Sequence, residues 1–247
     1  MGGFVWHELT TADPDEAAAF YGRLLGWEAE TFPGSAPPYL VLKAAGVGVA
    51  GLCAAKAPQP AGWIGYLHVA DVEEACRRAE AAGGTAVAPA EEMEGIGRMQ
   101  LMRDPDGVPF VLMTPAPREA PPRPPEGTTG LSVWDEHYGA DVERSFAFYA
   151  GLADWTKDSA MDMGEMGTYQ MVAAGGRAIA GLMRAPEAMG PRWLAYFNVP
   201  SVTGAMEEAE RLGGRPFFGP QEVPGAMWIA QILDPQGHPF GIVGPKG

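Results

Sequence analysis

The sequence WHELTTADPDEAAAFYGRLLGW at residues 6–27 returns in altered form as WDEHYGADVERSFAFYAGLADW at residues 134–155. Further matches follow at a slightly larger offset, among them the DPDG segment at residues 104–107 and the DPQG segment at residues 234–237. The spacing between the two copies, which start at residues 6 and 134, is the length of a whole domain. It is far longer than a solenoid unit. The sequence therefore predicts a tandem duplication of one domain.

Composition limits the classes of partner. The chain has 247 residues, 47% of them apolar, which is enough for two cores, and its formal net charge is −14. Such a charge argues against nucleic acid and against anionic membrane surfaces as partners. Because the sequence has no signal-peptide pattern and no long apolar run, we expect a cytoplasmic protein. Cys53 and Cys76 are too few for a disulfide framework, so we expect free thiols.

The order of strand and helix signals is the same in each half. Alternation over residues 4–9 predicts a strand with Trp6 and Glu8 on one face. Asp13 and Pro14 then start a helix that Gly26 ends, and apolar runs that indicate strands follow. A second strand–helix–strands series completes each half. We predict a first domain at residues 1–115, a proline-rich linker at 116–127 and a second domain at 128–247, each domain with two β-α-β-β-β units.

With these patterns the chain resembles the vicinal oxygen chelate superfamily, which includes glyoxalase I, extradiol dioxygenases and bleomycin-resistance proteins. The motifs that suggest it are a D-x-x-x-A-x-x-F-Y-x-x-x-x-G-W pattern ending at Trp27 and the D-P-x-G-x-P-F turns ending at Phe110 and Phe240. The resemblance is greatest to two-domain members described as glyoxalase-like, hydroxylase-like or bleomycin-resistance-like. It implies an α+β fold in which each domain's two units form a cupped, mixed, eight-stranded sheet with helices outside. Small molecules would bind inside the cups.

The resemblance also implies where a metal would be held, namely on the first and last strand of each unit. None of the residues at these positions supplies a carboxylate, imidazole or thiolate, which are the usual protein ligands of divalent metals. A one-residue shift would bring in His7, but on the opposite face of its strand. We therefore expect no metal cofactor. The eight positions are Trp6, Gly51, Ile64, Val111, Trp134, Gly181, Leu194 and Gly241.

A substitute pair is present nearby. Strand alternation places Glu8 on the face of Trp6, and Tyr66 with His68 on the face of Ile64, so all of these could point into the first cup. Glu8 and His68 are candidate catalytic residues, as a general acid and base or as part of an unusual divalent-metal site. The alternative is a buried polar pair with a structural role. The second half has Asn198 in place of the histidine, which favours the first half for proton transfer.

Aromatic residues predict a different use of the cups, because their rings stack on flat organic molecules. We therefore favour metal-independent binding of a small apolar or aromatic organic molecule. Two alternatives remain: an enzyme of the lyase, isomerase, dioxygenase or hydroxylase type, and a scaffold whose cups are filled by its own side chains. The domains could pair within a monomer or across a homodimer. The candidate ligand-binding residues are Trp6, Tyr39, Trp63, Tyr66, Trp134, Glu136, Tyr169, Trp193, Tyr196, Asn198 and Trp228.

Overall fold

The structure is a computed structural model that describes residues 2–56, 59–117, 124–125, 127–187 and 189–247. Most of the predicted linker at 116–127 lies outside the described residues. The residues up to 115 form β1 (Phe4–Thr11), α1 (Pro14–Leu25), β2 (Glu28–Thr31), β3 (Tyr39–Ala44), β4 (Val47–Ala54), β5 (Gly62–His68), α2 (Val72–Ala81), β6 (Thr85–Ala86), β7 (Glu91–Met93), β8 (Gly97–Arg103) and β9 (Pro109–Pro115). The later residues form β10 (Ser132–Gly139), α3 (Val142–Ala153), β11 (Thr156–Asp162), a 3-10 turn (Gly164–Met166), β12 (Thr168–Ala174), β13 (Arg177–Arg184), β14 (Arg192–Asn198), α4 (Val202–Arg211), β15 (Arg215–Val223), β16 (Met227–Leu233) and β17 (Pro239–Gly244).

The strands form two mixed sheets with the same plan. The first sheet has the order β2-β3-β4-β1-β5-β9-β8-β6, and the second has the order β11-β12-β13-β10-β14-β17-β16-β15. This confirms the predicted tandem α+β fold. The first sheet has one strand more than predicted, because β7 also pairs with β8. Pro89, which has no N–H for a ladder, lies between β6 and β7.

Local sequence signals determine the ends of α1 and α3. The Asp13 side chain accepts a hydrogen bond from the N–H of Glu16 at 3.0 Å, and Asp141 does the same for Arg144 at 2.8 Å. Gly26 ends α1 in the left-handed conformation at φ 67°. At the equivalent place α3 ends at Asp154 with φ 54°, although a β-carbon makes that conformation less favourable.

The chain divides into two compact units, and each contains segments from both halves of the sequence. Unit 1 comprises Met1–Trp6, Ile64–Glu119 and Trp134–Leu194. Unit 2 comprises His7–Trp63, Ala120–Val133 and Ala195–Gly247. Each unit has its own buried hydrophobic cluster, with α2 and α3 contributing in unit 1 and α1 and α4 contributing in unit 2. None of the helices in the described ranges is long and apolar enough to span a membrane.

The motif residues that suggested the superfamily form a hydrogen-bonded chain inside unit 2. The indole N–H of Trp63 donates to the hydroxyl of Tyr21 at 3.0 Å, and that hydroxyl donates to the Asp234 carboxylate at 3.0 Å. Asp234 also accepts the backbone N–H groups of Gln236 and His238. The helix and turn motifs therefore stabilise the core, since a buried carboxylate needs several donors.

Unit 1 contains the same chain with one addition. Trp193 donates to Tyr149 at 2.8 Å, and Tyr149 donates to Asp104 at 3.0 Å. His137 Nε2 lies 2.8 Å from the same Asp104 oxygen, whereas the equivalent residue of unit 2 is Leu9. Burial alone would raise the pKa of Asp104, but the hydrogen bond and charge of His137 and the backbone N–H of Val108 outweigh it, so the pKa is lowered.

Candidate functional site

The strands that would hold a metal in the superfamily pair in parallel at the middle of each sheet. In the first sheet Glu8 lies opposite Gly51, and Tyr66 lies opposite Val111. In the second sheet the matching pairs are Glu136 with Gly181 and Tyr196 with Gly241. Glu8 and Glu136 are thus the acidic residues that lie opposite these predicted ligand positions.

An apolar cluster occupies part of the first sheet in unit 1. Ile64, Tyr66, Val111 and Met113 are buried together, and Trp6 packs against them. Three of the four predicted metal positions of this sheet therefore belong to one aromatic and aliphatic cluster. We call this set the Trp6 cluster, and its remaining members are the partly buried Ile96, Met99 and Leu101.

Glu8 lies in unit 2 and is only 5% exposed. Its carboxylate accepts a hydrogen bond from Gln59 Nε2 at 2.6 Å. Burial and the nearby Glu8 charge raise the pKa of Cys53 to about 12, so this thiol stays protonated at neutral pH. Tyr39 lies directly opposite Cys53 on the neighbouring strand. This arrangement gathers a carboxylate, an amide and a thiol beside Gly51.

His68 belongs to unit 1, at the end of β5, and is partly buried. Its backbone N–H donates to the carbonyl oxygen of Gly3 at 3.0 Å, and burial lowers the pKa of its imidazole. Burial disfavours the protonated ring, which leaves a neutral imidazole at pH 7. The predicted pairing of His68 with Glu8 joins residues of different units and stays a prediction.

A carboxylate-centred network lies in the second sheet in unit 1, and we call it the Glu136 network. Glu136 accepts the hydroxyl of Tyr138 at 2.7 Å and the hydroxyl of Tyr169 at 2.9 Å, one on each oxygen. Trp134 Nε1 in turn donates to the Tyr169 hydroxyl at 2.7 Å. Burial and the Glu136 charge raise the pKa of Tyr169, so its hydroxyl remains a donor.

Tyrosine side chains fill the space beside the two glycines at the predicted metal positions of the second sheet. A β-carbon added to Gly181 would overlap with the hydroxyl of Tyr169, and one added to Gly241 would overlap with the ring of Tyr196. Gln231 Nε2 donates to the Tyr196 hydroxyl at 2.7 Å. The positions from which a ligating side chain would extend are thus covered by phenol groups of the protein itself.

The other predicted ligand-binding residues lie elsewhere. Trp63 and Trp193 are buried in the two cores, where they donate to Tyr21 and Tyr149. Trp228 packs against the core of unit 2. Asn198 is buried, and its backbone carbonyl accepts from the N–H of Gly130 at 2.8 Å. Trp63 is three residues from Tyr66, so strand alternation places the two side chains on opposite faces.

Sequence reasoning missed three polar residues of these clusters. Gln59 follows β4 in an irregular segment, and no local pattern connects it with Glu8. Gln231 contacts Tyr196 from a strand that the sequence presents as mostly apolar. Tyr138 could have been found, because it shares the strand face of Trp134 and Glu136 at two-residue spacing.

The residues present do not fit a divalent metal at the positions that the resemblance implies. The side chains of Trp6, Ile64 and Val111 have no atom that usually binds a divalent metal. Tyrosine side chains cover Gly181 and Gly241. A divalent metal needs at least three nitrogen, oxygen or sulfur ligands from the protein. Within the described ranges no group of three or more His, Cys, Asp and Glu residues is placed to hold one.

Replacing Gly181 by alanine tests how tightly Tyr169 fills this space. We expect the free energy of unfolding to fall by about 2–3 kcal/mol, because the added methyl displaces the Tyr169 hydroxyl and breaks its buried hydrogen bonds. Urea unfolding followed by circular dichroism measures this. Gly151→Ala is the matched control, since a β-carbon there meets no atom and alanine favours the helix. Equal stability of the Gly181→Ala and Gly151→Ala proteins would contradict the described packing.

Known proteins resemble this chain over its whole length. Residues 6–113 match the family model of the glyoxalase-like domain. The chain is 28% identical to the putative glyoxylase CFP32 of Mycobacterium tuberculosis, with 97% of this chain and 94% of the relative covered. It is 27% identical to the anthracycline biosynthesis protein DauV of Streptomyces sp. strain C5, with 98% and 93% covered.

A solved structure shows the same fold. The Mn(II)-bound glyoxalase of Novosphingobium aromaticivorans superposes with a TM-score of 0.65 at 15% identity, covering 100% of this chain and 84% of that chain. The paired mixed sheets and the family-model match agree with the resemblance of the sequence motifs. Residues 6–113 therefore match a glyoxalase-like domain, and the chain as a whole has the paired-sheet fold of the Mn(II)-bound glyoxalase.

Proposed function

We propose that this protein binds a small aromatic organic molecule on the Trp6 cluster of the first sheet and needs no metal ion to do so. The observation that supports it most is the identity of the residues at the superfamily's metal positions. Trp6, Ile64 and Val111 lie in one apolar cluster with Tyr66 and Met113. Such a cluster favours a flat apolar ligand over a hydrated cation.

The chemistry of the cluster suits a ligand of variable shape. Trp and Tyr offer planar faces for stacking on a flat ligand. Met99 and Met113 add flexible, polarizable side chains that adapt to irregular molecules. One relative is described as an anthracycline biosynthesis protein, and an anthracycline contains a planar polycyclic quinone. A hydroxylated anthraquinone is therefore a suitable first probe.

Replacing Trp6 by alanine should weaken binding of this anthraquinone at least about tenfold, because a central aromatic contact is lost. Isothermal titration calorimetry of the wild type and Trp6→Ala in the presence of EDTA measures it. Val5→Ala is the matched control, because Val5 is the neighbouring residue of the same strand and is 42% exposed. If Trp6→Ala and Val5→Ala bind the probe equally well, the Trp6 cluster is not the site.

An enzymatic function is a second candidate, and the contacts of Glu8 favour it. Its buried carboxylate, held by Gln59 beside the protonated Cys53, has the features of a general base. The resemblance to a putative glyoxylase agrees with this candidate. Mass spectrometry of the probe after incubation, with and without Mn(II), tests it. Conversion by the wild type that is lost in Glu8→Gln or His68→Ala would support catalysis, and an unchanged probe in every sample would count against it.

A further inference from the structure

The Glu136 network holds the phenol of Tyr169 between a donor and an acceptor. The hydroxyl accepts from Trp134 Nε1 at 2.7 Å and donates to Glu136 at 2.9 Å. A phenol has one O–H donor and lone pairs that accept, so both of its capacities are used. The pair formed by Trp134 and Glu136 is thus complementary to a phenolic hydroxyl group.

The space around this hydroxyl depends on Gly181. Any side chain there would overlap with the Tyr169 hydroxyl, so the glycine leaves the room that the phenol occupies. Glu136 lies directly opposite Gly181 on the adjacent parallel strand. The sheet therefore forms a phenol-sized space that has a carboxylate on one side and a bare backbone on the other.

Tyr169 could leave this space without leaving the carboxylate unpaired. Glu136 would keep the hydrogen bond from Tyr138 at 2.7 Å on its other oxygen. Tyr169 is the second residue of β12 and directly follows an exposed turn that contains Met163 and Met166. A rotation of its side chain would be enough, and an entering phenol would replace both hydrogen bonds.

We propose that Trp134 and Glu136 form a binding site for a phenolic ligand and that Tyr169 is its displaceable internal occupant. This site lies on a different sheet from the Trp6 cluster. The proposal depends on the proposed function only in assuming that the ligand is aromatic. It would recognise a hydroxyl group on an aromatic ring, which the Trp6 cluster alone does not require. Charged acceptors strengthen such recognition, so a phenol should be strongly preferred over a ring without a hydroxyl.

The test compares p-cresol with toluene by isothermal titration calorimetry. It uses two proteins, Trp6→Ala and Trp6→Ala/Tyr169→Ala. Both carry Trp6→Ala so that binding at the Trp6 cluster is already impaired. We expect the Trp6→Ala protein to bind p-cresol. The Trp6→Ala/Tyr169→Ala protein should bind p-cresol at least about tenfold more tightly, because the Tyr169 side chain no longer competes for the site. Toluene should bind at least about tenfold more weakly than p-cresol.

Two further variants separate recognition from the opening of a cavity. Glu136→Gln should remove most of the preference for p-cresol over toluene, because the charged acceptor is lost. Tyr196→Ala is the matched control, since Tyr196 also covers a glycine and its hydroxyl accepts a hydrogen bond from the Gln231 amide. We expect Tyr196→Ala to leave p-cresol affinity unchanged.

Either of two results would overturn this site. Failure of the protein with Tyr169 intact to bind p-cresol would make Tyr169 a fixed core residue. Equal tightening by Tyr169→Ala and Tyr196→Ala would show cavity binding without recognition. The comparison of Trp6→Ala with Val5→Ala for the anthraquinone reports on the Trp6 cluster alone, because both proteins keep the Glu136 network. The two proposals can therefore fail separately.

Discussion

Replacing Asp104 by alanine should lower the free energy of unfolding by about 3–5 kcal/mol. The Asp104 carboxylate accepts the hydroxyl of Tyr149, the backbone N–H groups of Asp106 and Val108, and a hydrogen bond with His137. Removing it leaves a buried phenol and a buried imidazole without an acceptor. Urea unfolding followed by circular dichroism gives the change directly.

Asp234→Ala is the matched control for this prediction. Asp234 accepts Tyr21 and two backbone N–H groups, but its core has Leu9 where the other has His137. We expect the cost there to be smaller, about 2–3 kcal/mol, because no imidazole loses a partner. A loss at Asp234 equal to or larger than the loss at Asp104 would contradict the role given to His137.

The lowered pKa of Asp104 makes the free energy of unfolding depend on pH. Because the pKa of Asp104 is lowered in the folded protein, its contribution to stability is present above the ordinary value of about 4 and is lost as the pH falls through the folded pKa. The difference in stability between wild type and Asp104→Ala should therefore shrink as the pH is lowered below about 4. A constant difference down to pH 2 would count against the lowered pKa.

His137→Ala should cost about 2–4 kcal/mol, whereas His137→Leu should cost less than about 1.5 kcal/mol. The alanine leaves a cavity in a fully buried position. The leucine fills it and also removes Nδ1, a buried nitrogen with no hydrogen-bond partner in the described structure. The core of unit 2 already combines a leucine, Leu9, with the same aspartate–tyrosine–tryptophan chain.

Thermal and urea unfolding of both His137 variants measure this difference. Asp104 would keep Tyr149 and two backbone donors in each variant, so the comparison isolates the shape and polarity of the replaced side chain. Equal destabilisation by alanine and leucine would mean that the imidazole is needed for its charge, since shape would then be irrelevant.

Much of the fold could be predicted because its signals are local or periodic. The repeat of residues 6–27 at residues 134–155 indicated two similar sheets, and Asp13 and Gly26 marked the ends of the first helix. The partners of Tyr21 and Tyr149 could not be predicted. Tyr21 bonds Asp234, 213 residues further along the chain, and no spacing rule connects residues so distant.

The site was harder to predict because it depends on side-chain packing. The sequence made the aromatic residues on the central strands easy to find. Trp63 and Trp193, however, belong to the cores. Strand alternation is the sequence feature that places Trp63 on the opposite face from Tyr66. The overlap of Tyr169 with the space beside Gly181 depends on a pairing between β12 and β13 that sequence periodicity does not specify.

The central claim is that the first sheet binds an aromatic ligand without a metal ion. The most direct test is a pair of calorimetric titrations of the wild-type protein with hydroxylated anthraquinone, one in EDTA and one with excess Mn(II). Metal analysis of the same purified sample accompanies them. We predict that the anthraquinone binds with the same affinity in both titrations. Binding that occurs only with Mn(II), together with stoichiometric metal in the purified protein, would contradict the claim.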